Sequence, residues 1–340
     1  MRQAGERIPF TNATFRYPDG AWPNRLALGL TFLGWIGGIV LLTLRSWSLN
    51  AVGVLLTAQA LVYSAYFIHE CAHGALFTTA RDNDRLGRAL SWLNGACTLS
   101  YAGLKHKHMR HHVDRLDVVS VDYRKALLRW PAWARRMMLA LEWAYVPAVE
   151  FLMRGLVLAD VWREAPGRTA ATLAARIAGF AVLGVISPKA LALYALTYIL
   201  FLHVLRFMDA FQHTYEVVAA EHADALVAAR QYDRAYENEN TYSNLVSVQQ
   251  PWLNLLTLNF AYHNAHHAKP AAPWHQLPTL HQRLYGRDER QVLPCRTLFA
   301  TYHRNRVKRV LSEDYGLVAP AGDRAADFLG AVGVSFLTAV

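Results

Sequence analysis

Two long stretches without a charged residue lie near the start of this 340-residue sequence and limit its possible folds more than any other feature. The first, LALGLTFLGWIGGIVLLTL, lies between Arg25 and Arg45, and the second covers residues 46–68. At the rise of an α-helix, the 19 residues of the first stretch span about the 30 Å of a bilayer core. A soluble domain has little reason to collect apolar residues in such runs, so we predict two membrane helices joined by a short turn.

A second pair of apolar stretches follows in the middle of the chain. Residues 169–187 are interrupted only by Arg176, the SPK tripeptide at 187–189 favours a turn, and residues 190–205 add 16 residues without a charge. Shorter apolar stretches at 89–104 and 137–160 fit interfacial or re-entrant helices, and the C-terminal FLGAVGVSFLTAV is expected either to lie in the interface or to fray.

These stretches predict an all-α integral membrane protein with four transmembrane helices in two hairpins. Charged residues are 18% of the chain, against roughly 25% in an average soluble domain, which agrees with a membrane protein. We expect one domain over residues 1–340, with a helical cap outside the bilayer. The predicted spans lie at about 26–44, 46–68, 169–187 and 190–205.

The distribution of basic residues predicts the orientation in the membrane. The two hairpin loops contain one basic residue each, Arg45 and Lys189, whereas the N-terminal segment, 69–168 and 206–340 contain nearly all the others. Because positively charged segments stay in the cytosol, we expect these three segments to be cytosolic. The net charge of +10 favours an anionic membrane face or an acidic protein partner, and the sequence has no motif that indicates nucleic-acid binding.

The 15 histidines are clustered rather than scattered. Ten of them occur in HECAH, in KHKHMRHH, in DAFQH just after the fourth span, and in YHNAHH, all on the predicted cytosolic side. Of these ten, His106 is set apart because His108 already completes the HxxHH spacing. Spacings of three and four residues place imidazoles on one face of a helix, and neutral imidazole is a good ligand for iron, zinc and copper. Nine such histidines exceed what one metal ion uses, so two ions are expected.

Two other classes of protein remain open at this point. HECAH matches the HExxH pattern of zinc proteases, in which the glutamate acts as general base. That reading explains His69, Glu70 and His73 but neither of the other two boxes. A catalytically inactive membrane scaffold would retain the helices and bind fewer than two metals.

The set of HECAH, HMRHH and HNAHH resembles the three histidine boxes of the membrane fatty acid desaturase and hydroxylase superfamily, and the likeness covers residues 25–290. The resemblance implies a non-haem diiron site at the cytosolic end of a four-helix stem. It also implies a further ligand in DAFQH, where Asp209 replaces the usual asparagine four residues before His213. The ligands carried over are His69, His73, His108, His111, His112, His213, His263, His266 and His267, with Asp209 and His106 as additional candidates. Glu70 is then expected to orient an imidazole.

The resemblance also implies the chemistry. A saturated methylene has no acidic proton and no electrophilic centre, so its oxidation needs a redox cofactor, here two iron ions acting with O2. The expected reaction introduces a double bond into a fatty acyl chain attached to a lipid or a carrier. A hydroxylase or ketolase on the same scaffold is the alternative. Electrons would come from a ferredoxin-like donor, and the expected location is a bacterial cytoplasmic membrane.

Overall fold

The computed structural model describes residues 14–286, 290–312, 325, 328–334 and 337, apart from the side chains of residues 220 and 221. Almost all regular structure in these ranges is helical, and most helices follow one another through short connections, with a longer one at residues 240–262. In chain order the helices are α1 (Ala21–Thr43), α2 (Trp47–Ala72), α3 (Ala80–Asn94), α4 (Tyr101–Asp114), α5 (Tyr123–Arg129), α6 (Ala132–Trp143), α7 (Ala148–Glu164), α8 (Pro166–Ile186), α9 (Pro188–Ala210), α10 (Ala220–Ala229), α11 (Arg234–Glu239), α12 (His263–Ala268), α13 (Leu277–Tyr285), α14 (Cys295–Arg304) and α15 (Lys308–Leu311).

Four of these helices, α1, α2, α8 and α9, are long and apolar enough to cross a membrane, which confirms the predicted fold class. Their ends differ from the predicted spans because a predicted span stops at a charged residue, a histidine or a turn signal, whereas a helix continues until its backbone conformation changes. Thus α2 runs past Ile68 to Ala72, and α9 runs past Leu205 to Ala210. Both helices therefore extend directly into the region that contains the histidines. The assignment of one domain to residues 1–340 stays a prediction.

Close packing in the first hairpin depends on two glycines. A Cβ atom on Gly53 would lie 2.9 Å from the carbonyl oxygen of Gly38, so only glycine allows the α1 and α2 backbones to approach this closely. Small residues at helix interfaces are typical of membrane bundles, where dispersion contacts replace the hydrophobic effect. As a result α2 is the central helix, packed against α1, α3 and α9, while α8 is mostly exposed and faces outward.

A polar cluster joins the two hairpin turns at the end of the bundle opposite the histidines. The Asn50 Nδ2 group donates to the carbonyl oxygens of Leu41 and Leu44, at 2.8 and 3.0 Å, where α1 ends. Lys189 at the start of α9 donates to the Asn50 Oδ1 atom at 2.8 Å. The buried amide thus satisfies carbonyls that the end of α1 leaves without a helical partner.

The cap contains a second buried polar cluster, on α6, α7 and α9. Arg206 Nη2 lies 2.9 Å from Glu142 Oε2, and Arg206 Nε lies 3.6 Å from Glu150 Oε1. Both carboxylates are buried. Glu142 and Glu150, within the apolar stretch at 137–160, therefore face inward to pair with α9 rather than outward to solvent.

A short parallel strand pair connects the two halves of the cap. Strand β1 (Asp117–Val119) follows α4, and β2 (Val217–Ala219) follows α9. The Asp117 amide donates to the Glu216 carbonyl at 3.0 Å. This pairing brings the segment after the second histidine box beside the segment that contains His213.

We predict that Arg206→Met destabilises the protein by about 3–5 kcal/mol, because it leaves two buried carboxylates without their cation. The free energy of unfolding is measured by denaturant titration in detergent micelles. The matched control is Arg163→Met, which removes an arginine whose pair with Asp160 is exposed and should change stability little. Equal effects of the two substitutions would contradict this account of the cap.

Candidate metal centre

The first histidine box lies at the last turn of α2. His69 and His73 are four residues apart and on one face, and the His73 amide still donates to the His69 carbonyl at 3.2 Å, so the turn is complete. Gly74 follows with φ of 63°, a left-handed conformation that suits glycine and ends the helix. The two imidazoles are therefore held at the end of a rigid membrane helix.

The second box lies on α4, which begins where the Ser100 side chain accepts the Gly103 amide at 3.0 Å and ends at Arg115, with φ of 55°. His108 and His112 point towards the first box. His111 is displaced around the helix and lies nearer His213, with ring centroids 4.6 Å apart. Helix α4 thus supplies two imidazoles near the first box and a third near His213.

The third box forms the short helix α12, preceded by a tight turn in which Leu258 and Asn259 both have positive φ. His213 lies just beyond α9 and is held by the backbone, because the Tyr242 amide donates to the Gln212 carbonyl at 2.8 Å. His213 and the third box are thereby brought against α4.

The nine predicted histidines form two groups, in each of which the candidate ligand atoms lie within 4.8 Å of one another. The five-histidine group is His69, His73, His108, His112 and His266. The four-histidine group is His111, His213, His263 and His267. The groups adjoin, since the rings of His112 and His267 have centroids 4.3 Å apart. Either group could hold a metal ion.

Hydrogen bonding cannot satisfy the five-histidine group. Its Nε2 atoms form a chain of close contacts: His69 to His266 at 3.1 Å, His266 to His112 at 3.1 Å, His112 to His108 at 3.2 Å, and His108 to His73 at 2.7 Å. The Nε2 atom of a neutral imidazole either donates one proton or accepts one, so at most two of these four contacts can be hydrogen bonds. A shared cation would satisfy all five Nε2 atoms at once, because each can direct its lone pair at it.

The spacing of the nitrogens also fits a cation. Neighbouring nitrogen ligands about 2.1 Å from one ion lie roughly 3 Å apart. In the four-histidine group His213 Nε2 lies 2.9 Å from Nε2 of both His263 and His267. Both groups therefore have the nitrogen spacing of a metal site.

Burial keeps most of these histidines neutral at physiological pH. Desolvation lowers the pKa of His73 to about 3, and it lowers the pKa of His267 to about 4 despite the opposing effect of Glu237. The pKa values of His108, His112, His213, His263 and His266 lie well below the ordinary value for the same reason. Neutral imidazole is the form that binds metals.

Two buried carboxylates contact the imidazoles from outside, and sequence reasoning did not identify them. Asp117 Oδ1 lies 3.3 Å from His111 Nδ1 and 3.5 Å from His213 Nδ1. Glu237 Oε1 lies 3.0 Å from His267 Nδ1. Burial alone would raise the pKa of Glu237, but hydrogen bonds from His267, Arg234 and Arg115 lower it to about 2. Neither residue belongs to a motif, so only the fold could reveal them.

Three other candidate residues lie outside the two groups. His106 is exposed on α4, away from both of them, and Asp209 lines a small cavity beside the four-histidine group. Glu70 does not orient an imidazole through a hydrogen bond: its Oε1 atom is 3.8 Å from His69 Nδ1, while its Oε2 atom accepts the Trp274 amide at 3.0 Å. Glu70 therefore anchors the segment that follows the third box.

We expect His267→Ala to lower bound metal from two ions per chain to about one or none, because it removes one of four convergent nitrogens. His106→Ala is the matched control and should retain both ions. Metal content is measured by mass spectrometry of purified protein reconstituted with ferrous iron. Full metal content in the His267 variant would remove that residue from the proposed ligand set.

Stability of the metal-free protein should fall as the pH is lowered below about 6.5. The unfolded histidines take up protons near pH 6.5, whereas folded His73 and His267 remain neutral down to about pH 3 and 4. Unfolding then binds protons, and each such histidine contributes about 1.4 kcal/mol of destabilisation per pH unit. Thermal unfolding of chelator-treated protein between pH 7.5 and 5.5 measures this. A midpoint that does not change with pH would contradict the assigned burial.

The comparisons with known proteins agree with this geometry. The family model for fatty acid desaturases matches residues 45–299, about three quarters of the chain, including all three histidine boxes. No curated protein matches the chain. The family resemblance predicted from the boxes is thereby confirmed, and the chain belongs to the fatty acid desaturase family, a group of membrane-bound lipid oxidases of the desaturase and hydroxylase type.

Proposed function

We propose that this protein is an O2-dependent diiron desaturase that introduces a double bond into a fatty acyl chain carried by a lipid or a carrier. The observation that carries the proposal is the pair of adjoining histidine groups at the ends of two apolar helices. In this proposal one iron ion is held by the five-histidine group and the other by the four-histidine group. Imidazole is a suitable ligand for iron, although it also binds zinc and copper.

The need for a metal follows from the substrate. Side-chain acids and bases cannot remove hydrogen from a saturated methylene, which has neither an acidic proton nor an electrophilic carbon. When bound, the two irons would supply the oxygen-dependent oxidising power that this reaction needs. The protein has to bind the acyl chain, orient the ligands and exclude water.

Buried hydrogen-bond acceptors orient the ligands in this proposal. The ionised Glu237 accepts the Nδ1 proton of His267, which leaves the lone pair on Nε2 directed into the four-histidine group. His111 is fixed in the same way, because its Nδ1 atom lies 2.8 Å from the Leu116 carbonyl oxygen, the acceptor for an Nδ1 proton. Each imidazole is then held in the tautomer that binds metal.

Apolar side chains beside the histidines exclude water. Phe260 packs edge-on against His69, with ring centroids 4.6 Å apart, and also contacts the ring of Tyr66. The apolar core around α2 and α9 continues up to these rings. An acyl chain that partitions into the bilayer could reach such a site without crossing water.

Sidedness and the electron donor are also part of the proposal. The charge distribution supports a cytosolic site, and the bacterial cytoplasmic membrane is the proposed location. A small ferredoxin-like protein is proposed to supply the electrons. An acidic donor would be attracted to a chain with a net charge of +10.

The zinc-protease reading of HECAH has little support. A protease glutamate has to act on a metal-bound water, but the Glu70 Oε2 atom accepts the backbone amide of Trp274 and the side chain is buried. That reading also leaves the four-histidine group without a role. Both observations favour the oxidase.

We predict that the iron-loaded protein, given O2 and a reducing system, converts saturated acyl lipids into mono-unsaturated products without incorporating oxygen. Lipids of cells with and without the protein are compared by mass spectrometry, in parallel with incubations under oxygen-18. The inactive control is His267→Ala. Retention of the label in the product would show that the reaction is hydroxylation or ketone formation rather than desaturation. Unchanged lipids would count against all of these reactions.

A further inference from the structure

Arg176, the one charge in the third predicted span, lies where two cavities adjoin on the outer side of the bundle. Its Nη1 atom donates to the Trp92 carbonyl at 2.6 Å, and Trp92 lines both cavities. A charged residue within a membrane helix is costly and commonly marks a binding site. The two cavities therefore need an account that the histidines do not give.

The first cavity is an apolar groove between α1 and α8, which we call the α1–α8 groove. It has a volume of about 610 Å³, and its lining includes Phe32, Trp35, Phe180 and Leu183. Among the described residues that line it, only Arg176 is charged. Because α8 is mostly exposed, the groove opens towards the acyl chains of the bilayer. A cavity of this size and composition suits an apolar chain.

The second cavity, which we call the basic cavity, lies among α3, α4 and the start of α8. It has a volume of about 690 Å³ and is lined by Arg88, Lys105 and Arg168. Asp84 is the acidic residue among the described residues of its lining, and its Oδ1 atom lies 3.1 Å from Lys105 Nζ. The positive charges of Arg88 and Arg168 are thus left over.

Within the described part of the chain, neither Arg88 nor Arg168 forms an ion pair. Arg88 Nε donates to the Asp84 carbonyl at 3.1 Å, and Arg168 Nη2 donates to the Thr98 carbonyl at 2.8 Å. A guanidinium has several N–H donors, so each of these contacts leaves others for a ligand. Their geometry matches the oxygens of a phosphate group.

One face of α8 runs from the basic cavity into the groove. Arg168 and Thr172 line the basic cavity, whereas Arg176, Gly179 and Leu183 line the groove. Spacings of three and four residues place all five on the same side of the helix. This face therefore changes from basic to apolar along the helix, in the same order as the phosphate and the acyl chain of a phospholipid.

We propose that a bilayer phospholipid with an anionic head group binds at this face, with its phosphate between Arg88 and Arg168 and one acyl chain in the α1–α8 groove. Basic pockets between membrane helices are typical sites for anionic lipids. A zwitterionic lipid has the same phosphate but adds a cation, which the two arginines disfavour. The proposal does not rest on the oxidation of an acyl chain, because both cavities lie outside the two histidine groups.

Native mass spectrometry of the metal-loaded protein in detergent tests the head-group contacts. Dioleoylphosphatidylglycerol and dioleoylphosphatidylcholine have the same acyl chains, and the wild type should bind one molecule of the first about tenfold or more tightly than the second. Arg88→Gln/Arg168→Gln should weaken phosphatidylglycerol binding by about tenfold or more, because it removes charge-assisted hydrogen bonds. Arg81→Gln/Arg129→Gln is the matched control, since it removes the same charge from two exposed arginines that line neither cavity. It should bind as the wild type does.

The position of the acyl chain is tested by filling the groove. A Cβ atom on Gly179 would meet nothing within 4 Å, so Gly179→Phe fits without a clash and should lower the binding of both phospholipids by about tenfold or more. Gly37→Phe is the matched control, because Gly37 has the same free space but lies on α1 outside the groove. Metal content equal to that of the wild type shows that a variant is folded.

Any of four results overturns the proposal. The wild type may retain no phosphatidylglycerol, or may bind the two phospholipids equally well. The third such result is a loss of binding in Arg81→Gln/Arg129→Gln as large as that in Arg88→Gln/Arg168→Gln. The fourth is wild-type binding by Gly179→Phe, which would show that no acyl chain occupies the groove.

Discussion

The convergence of neutral imidazoles is the constraint on which the rest of the structure depends. The close Nε2 contacts in the five-histidine group exceed what hydrogen bonds can satisfy, so this arrangement is unfavourable unless a cation sits among the rings. Burial increases the penalty, because it also removes water and holds the histidines neutral. The surrounding helices, strands and carboxylates hold the rings together.

Long helices position some of the histidine rings, and short local elements position the others. The membrane helix α2 fixes His69 and His73 at its end, and α4 fixes three more imidazoles through its own cap. The four-histidine group depends more on loops and on the β1–β2 pair, which places Asp117 between His111 and His213. The short strand pair thus positions the four-histidine group, as the long helix α2 positions the five-histidine group.

The sequence predicted the four long helices because a bilayer requires continuous apolar stretches. Eight of the nine histidines stand out because ligand spacing on a helix leaves a clear pattern, whereas His213 was a candidate only through the family resemblance. The sequence could not predict how the nine histidines divide between the two groups. Spacing places His108, His111 and His112 on one face, yet the structure separates His111 from the other two, and His266 from His263 and His267. That division depends on how the helices pack against each other. Asp117 and Glu237 carry no pattern at all, and Glu70 is aimed at the Trp274 amide by a contact between residues far apart in sequence.

The division of the histidine boxes between the two groups affects the order in which the groups are completed during synthesis. Four of the nitrogens in the larger group come from residues 69–112, which leave the ribosome before the second hairpin is made. The smaller group has only His111 at that stage and requires the chain as far as His267. In the diiron enzyme proposed above, the two ions would then be acquired in sequence, with the five-histidine group nearly complete in the nascent chain and the four-histidine group assembled only after the last box has emerged.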